Sequence, residues 1–168
     1  MAITHDSEIL VNMKGLSNLT SSAESRVTSQ LYSLGSSEIQ LNIGEELFTE
    51  YMDTWDDFVN DEATYNIYKV KGFSALDEGE RKFRNMVFAE SYFILYFLAK
   101  ALKKLVKGSG LVNKEKAGTA EINPSGLDDL INNAELYYSQ ALNCISLAFP
   151  STESDTILFS GSLGAFAV

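Results

Sequence analysis

Residues 74–107, SALDEGERKFRNMVFAESYFILYFLAKALKKLVK, decide the fold. Their middle, MVFAESYFILYFLA at 86–99, is apolar almost all the way round a helix and is broken only by Glu90 and Ser91. A helix that is apolar on every side has to be covered on every side, by the rest of the chain or by another copy. Both ends are marked. Ser74 with Asp77 resembles a capping box, and Asp77, Glu78 and Glu80 stand near the positive end of the helix dipole. Lys100, Lys103, Lys104 and Lys107 stand near the negative end, and Gly108 supplies a left-handed stop. The pattern predicts a rod of about 34 residues, roughly 50 Å long at 1.5 Å per residue.

Working outward toward the N-terminus, residues 42–59 predict a second helix. Asn42 followed by Glu45 repeats the capping-box logic, and Phe48, Tyr51, Met52, Trp55, Phe58 and Val59 recur three and four residues apart. Glu46, Glu50, Asp53, Asp56 and Asp57 fall on the opposite side, so this is an acidic amphipath with one aromatic face. At helical spacing such a face is read as core packing before a ligand cage. Between the two helices, Thr64, Tyr65, Ile67, Tyr68 and Val70 have strand-like character and Gly72 breaks the run, so a short strand or a loop is expected there. Residues 1–41 form a Ser- and Thr-rich extension with weak helix. Ile9, Leu10 and Met13 share one side of a short turn, and Ala23, Val27, Leu31 and Leu34 make a thin stripe that Gly35 is placed to end.

On the C-terminal side, residues 108–126, GSGLVNKEKAGTAEINPSG, hold two short runs around a polar tip near Lys116, Ala117 and Gly118, with Pro124 as punctuation. A β-hairpin or an extended arm is expected. Ser125 and Asp128 then open a helix of about six turns whose apolar stripe runs through Leu127, Leu130, Ile131, Ala134, Tyr137, Tyr138, Ala141, Leu142, Ile145 and Ala148, until Pro150 stops it. The tail, 150–168, carries Ile157, Leu158, Phe159, Leu163, Phe166 and Val168 among serines and glycines. An apolar tail with flexible joints is buried either on a neighbouring subunit or on its own bundle. The fold class is therefore all-α: a bundle of three to four helices around a central long one, with a hairpin or arm and an extended C-terminal tail. The domain divisions are 1–41, 42–149 and 150–168.

Composition bounds the function. At 168 residues the chain fits one domain and is large enough to bury roughly two thirds of its unfolded surface. With 23 acidic against 13 basic residues its net charge is −10, which disfavours direct binding to a nucleic-acid backbone. The local basic run KALKKLVK also serves a helix C-terminus. A single cysteine, Cys144, excludes an internal disulfide, and one histidine beside it makes a Cys/His metal site unattractive. A reducing, intracellular setting fits. The N-terminus has no basic segment followed by an apolar run, so no secretory signal is expected and the Asn18-Leu19-Thr20 sequon carries no meaning. Residues 86–102 contain Glu90 and Lys100 and fall short of the roughly 20 apolar residues a bilayer needs, so a buried core helix ranks ahead of a membrane-associated one.

No catalytic constellation emerges. Cys144 lies by an apolar stripe, and the sole imidazole, His5, is far off at the terminus. Adjacent carboxylates at Asp56 and Asp57, or Asp128 and Asp129, are explained by helix starts and solvated faces. GSG lacks the preceding strand and the lysine-serine pair of a phosphate loop. Glu90 is the one carboxylate in a surprising place: burial would raise its pKa unless a base reaches it, and a partner such as an arginine or tyrosine from another element is expected. No enzyme, cofactor or metal is expected.

The order of elements, FAESYFILYFLAKALKKLV, then GLVNKEKAGTAEINPS, then LDDLINNAELYYSQAL, resembles the small helical connector proteins that form rings beneath the portal of tailed bacteriophages, over residues 42–149. The resemblance implies a homo-oligomeric ring, a dodecamer in that family, sitting in the virion neck and assembled in the host cytoplasm. Its partners would be the portal and the tail or other neck proteins, and DNA would pass without specific binding. Acidic faces suit a channel that does not grip DNA. The arm residues Leu111, Val112 and Ile122 and the tail residues Ile157, Leu158, Phe159, Leu163 and Phe166 would then form the subunit interface. The competing expectation is a soluble helical adaptor or regulatory module that offers its aromatic face to a partner helix.

Overall fold

The computed structural model describes residues 12–16, 26–108 and 129–150, and all regular structure among them is helical. The main elements are α1 (Ser29–Ile43), α2 (Glu45–Asn60), α3 (Glu62–Val70), α4 (Glu78–Gly108) and α5 (Ala134–Ala148). A 3-10 turn at Phe73–Ala75 leads into α4, and residues 12–16 and 129–132 are short helical turns.

The long helix α4 is the axis. It starts three residues later than Ser74 would have it, because the capping box is built by Asp77 and Glu80: the Glu80 N–H donates to Asp77 Oδ1 (2.8 Å) and the Asp77 N–H to Glu80 Oε2 (3.0 Å). Glu80 Oε1 also accepts from Lys71 Nζ, tying the preceding linker to this cap. Within 86–99 every residue is buried or half-buried, and Met86, Val87, Ala89, Phe93, Ile94 and Leu95 are fully so. The chain covers this helix itself.

Two helices do most of the covering. Leu31 of α1 packs with Ile94, Leu95 and Leu98, while Ile39 packs with Met86 and Phe93, so α1 runs antiparallel to α4. By the same test α5 is antiparallel too: Ala134 and Tyr137 lie against the C-terminal half of α4, and Ala141, Cys144, Ile145 and Ala148 against the N-terminal half. Its apolar stripe from Leu130 to Ala148 is buried or half-buried throughout. The helix is interrupted by a turn at Asn133 and so is not continuous over the predicted six turns.

The predicted stop at Gly35 is wrong in an instructive way. Gly35 sits inside α1 at the crossing with α4, where a Cβ would lie 3.0 Å from Ile94 Cγ1 and 3.3 Å from Glu90 Cγ. It is there for close approach, and the helix begins later, at Ser29, and continues to Ile43. The predicted capping box of Asn42 and Glu45 is absent as well. Asn42 is in α1, its amide donating to the Glu38 carbonyl (2.8 Å), and α2 is entered through Gly44 at φ +88°. That left-handed conformation breaks the two helices apart.

The aromatic face of α2 is core. Tyr51 and Trp55 are buried, Phe48, Met52, Phe58 and Val59 are half-buried, and Trp55 and Phe58 meet Phe83 of α4 at ring-centroid distances of 5.1 and 4.7 Å. Residues 62–70, expected as strand or loop, are helical. Asp61 caps them by accepting from the Thr64 N–H (3.3 Å) and hydroxyl (2.7 Å), and Tyr65 and Tyr68, one turn apart, both reach Trp55. Arg84 closes the other end, donating to the Tyr68 carbonyl (3.0 Å) and lying over its ring. Burial of two tyrosines on one helical face outweighs a local β preference of at most about 1 kcal/mol.

The hairpin or arm expected at 108–126, with Leu111, Val112 and Ile122, lies outside the described residues beyond Gly108. So do the tail residues Ile157, Leu158, Phe159, Leu163 and Phe166, and the helix-opening Ser125 and Asp128.

Candidate assembly surface

The residue singled out by sequence, Glu90, is fully buried at the α1–α4 crossing. Its Oε1 accepts from the hydroxyl of Ser36, itself 4% exposed. The small pair Gly35-Ser36 lets α1 approach closely enough to place that hydroxyl on the carboxyl. Ser36 is thus one partner of this carboxyl, a residue type the sequence reading did not propose beside an arginine or tyrosine. A glycine and two serines inside an otherwise apolar stripe were the available signal for it. Ser91, the other polar residue of the apolar middle, is satisfied within α4 by donating to the Val87 carbonyl (2.8 Å). These groups make a polar helix crossing in a buried core, where a buried acceptor must be paired.

Around it the titratable groups are held in their neutral or structural forms. Burial pushes the Cys144 thiol up to about 11, so it carries little of the thiolate a nucleophile needs. Burial also raises Tyr92, Tyr137 and Tyr138; for Tyr138 a hydrogen bond to Glu38 (3.0 Å) adds to the effect. That bond joins α1 to α5. Lys100 is raised mainly by its hydrogen bond to Tyr96 and pairs with Glu135 of α5 at 3.4 Å. Among the described residues no three His, Cys, Asp or Glu side chains are grouped to hold a metal, and no helix is long and apolar enough to cross a membrane.

One part of the surface is strongly acidic. Glu45, Glu46, Glu50, Asp53, Asp56, Asp57, Asp61 and Glu62 are all exposed on α2 and at the start of α3, and no Lys or Arg occurs between residues 45 and 68. Because α2 packs against Phe83, this acidic surface lies beside the N-terminal half of α4. Lys100, Lys103 and Lys104 are exposed toward its other end. Asp61 is held below the usual carboxylate range by its bonds to Thr64.

Apolar side chains also stand in solvent. Ile67 and Val70 of α3 and Phe73 of the 3-10 turn are exposed by 58%, 84% and 50%. Sequence inspection missed this face because it gave the segment no helix. Asp61 as a cap and the Tyr65–Tyr68 spacing would have revealed it. The fold and its surface thus define an all-α protein with a largely covered central helix and an acidic surface on α2 and the start of α3. The chain matches no known family model, no curated protein and no solved structure.

Proposed function

We propose that this protein is a structural component of a tailed-bacteriophage virion, a subunit of a homo-oligomeric ring in the neck that joins the capsid portal to the tail and surrounds the DNA channel. The observation that carries this reading is the arrangement around α4: a long helix sheathed by antiparallel α1 and α5, crossed near its start by an aromatic helix, with an insertion of some twenty residues between α4 and α5. Within it, the order of α2, α4, insertion and α5 is the order on which the connector resemblance rests, and α1 lies outside that order. In this reading the insertion is an arm to the adjoining subunit through Leu111, Val112 and Ile122, and the apolar tail is buried between subunits. The acidic surface of α2 and α3 suits a wall past which DNA slides without being gripped.

The role is architectural and not enzymatic. Glu90, Ser36, Glu80, Asp77, Asp61 and Arg84 all serve helix crossings and caps. The adaptor reading requires the aromatic face of α2 to be free for a partner helix, whereas Tyr51 and Trp55 of that face are each 2% exposed inside the bundle. Mass by light scattering tests the proposal. A closed ring should form on purification or when portal protein is added, and a persistent monomer that ignores portal would overturn it.

A further inference from the structure

Gly44 alone joins α1 to α2. Its N–H donates to the Gln40 carbonyl (2.9 Å) and its carbonyl accepts from the Phe48 N–H (3.1 Å), the same two bonds an unbroken helix makes at that residue. What interrupts the helix is one pair of dihedrals, φ +88° and ψ 157°, in a region essentially restricted to glycine. Packing does not hold that conformation in place, since a Cβ on Gly44 would meet nothing beyond its chain neighbours within 4 Å. Turning Gly44 to helical dihedrals would add bonds from the N–H groups of Glu45, Glu46 and Leu47 to the carbonyls of Leu41, Asn42 and Ile43. Ser29 to Asn60 would then be one helix.

The register of that straight helix says what it would meet. At about 100° per residue, the core face of α1 (Tyr32, Gly35, Ser36 and Ile39) falls on the side opposite to the core face of α2 (Tyr51 and Trp55). Leu34 and Leu41, 40% and 79% exposed in the bent form, move onto the α2 side. There they line up with Phe48, Met52 and Trp55 in a single stripe. Two leucines that cover nothing in the bent chain thus extend an apolar stripe in the straight one.

We infer that Gly44 is a hinge at which α1 swings out to continue α2 and docks on α4 of a second copy, so that two chains exchange this helix. With the helix straight, the core face of α1 points away from the bundle on which α2 packs, and only another copy can bury it. The crossing itself selects the occupant of the vacated groove. Ile94 and Glu90 are met by a helix whose Gly35 permits the approach and whose Ser36 supplies a hydroxyl, and α1 of a second copy carries that pair. The contacts given up and regained are the same, which makes helix exchange a low-cost route to association. Two copies suffice, so the inference goes beyond the ring reading and does not depend on it.

The Tyr138 hydroxyl donates to Glu38 Oε1 (3.0 Å), so the 38–138 contact between α1 and α5 reports which chain supplies α1. A Glu38→Cys chain is mixed with an isotope-labelled Tyr138→Cys chain, both on a Cys144→Ala background. A short bismaleimide is added, and linked peptides are identified by mass spectrometry. Neither chain holds both thiols, so a 38–138 linkage joins two copies. The expected linkage rises with protein concentration and exceeds that between Glu38→Cys and a Glu62→Cys chain, a control exposed on α3. It should grow about tenfold when Gly44→Ala disfavours the bent joint. Leu34→Lys with Leu41→Lys, both in solvent in the bent form, should reduce it while circular dichroism stays helical. No linkage above the control, or one that a folded Gly44→Ala leaves unchanged, overturns the hinge. If Gly44→Ala loses helicity, the lysine pair decides: a lowered linkage supports the straight helix and an unchanged one overturns it.

Discussion

Gly35 is where α1 and α4 come closest, and the two positions it faces, Glu90 and Ile94, are the polar and apolar halves of that crossing. Gly35→Ala gains about 1 kcal/mol of helix propensity and loses a comparable amount to crowding, so its net effect should be small. Gly35→Val adds two more methyl groups to the same gap without that gain and should cost more than about 2 kcal/mol in urea unfolding. A neutral Gly35→Val would mean that α1 does not hold this position. At the same crossing, Ser36→Ala removes a buried donor from Glu90 and should cost about 1–3 kcal/mol. Glu90→Gln keeps the shape and can still accept from Ser36, so light scattering should find assembly unchanged. Cys144 gives a pH signature. Its thiol is held protonated in the folded chain up to about 11, whereas the unfolded thiol ionises near its ordinary value. As pH rises from about 9 the unfolded state alone loses the proton, so stability falls toward pH 11, and the fall should be smaller in Cys144→Ala. Urea midpoints measured across that interval check the sign.

At the scale of the element, start signals proved more local than stripes suggest. The reciprocal bonds of Asp77 and Glu80 begin α4, and Glu80 also holds Lys71 of the linker. Asp77→Ala should therefore lower stability by about 1 kcal/mol, within the range of about 0.5–2 known for N-caps, measured as a drop in Tm. Ser74→Ala should leave Tm unchanged, since Ser74 is exposed in the 3-10 turn ahead of the cap. The helix α3 shows how tertiary context decides a short segment. Nine residues of which five, Thr64, Tyr65, Ile67, Tyr68 and Val70, are β-branched or aromatic have little helical tendency alone. They are fixed by Asp61 at one end, Arg84 at the other and two tyrosines against Trp55 between.

For the whole molecule, the relevant finding is that residues 86–99 of α4 are covered within one chain except for the half-buried Phe88, Tyr92, Tyr96 and Phe97. Association between copies therefore has little of the central helix left to cover. It falls to surfaces outside the bundle core, and the proposed ring makes the arm and tail the joints. Deleting residues 155–168 should weaken assembly in light scattering while far-ultraviolet circular dichroism stays helical, because the described helices all lie before residue 151. Assembly unchanged by the deletion would remove the tail from the interface.

The sequence by itself determined the central helix, its companion α5 and the burial of the aromatic face on α2, whereas α1 was expected only as a weak helix ended at Gly35. Those features follow from long apolar periodicity, which survives any arrangement of neighbours. It also marked Glu90 as anomalous, since a single carboxylate in a fourteen-residue apolar run needs no fold to be noticed. Only the tertiary structure decided what Gly35 and Gly44 are for. A glycine between helical stretches has the same letter whether it ends a helix, as Gly44 does at φ +88°, or admits another helix against its Cα, as Gly35 does. Ser36 as a partner of Glu90 was hidden for the same reason: it is 54 residues away in the chain, and the meeting exists only once α1 has crossed α4.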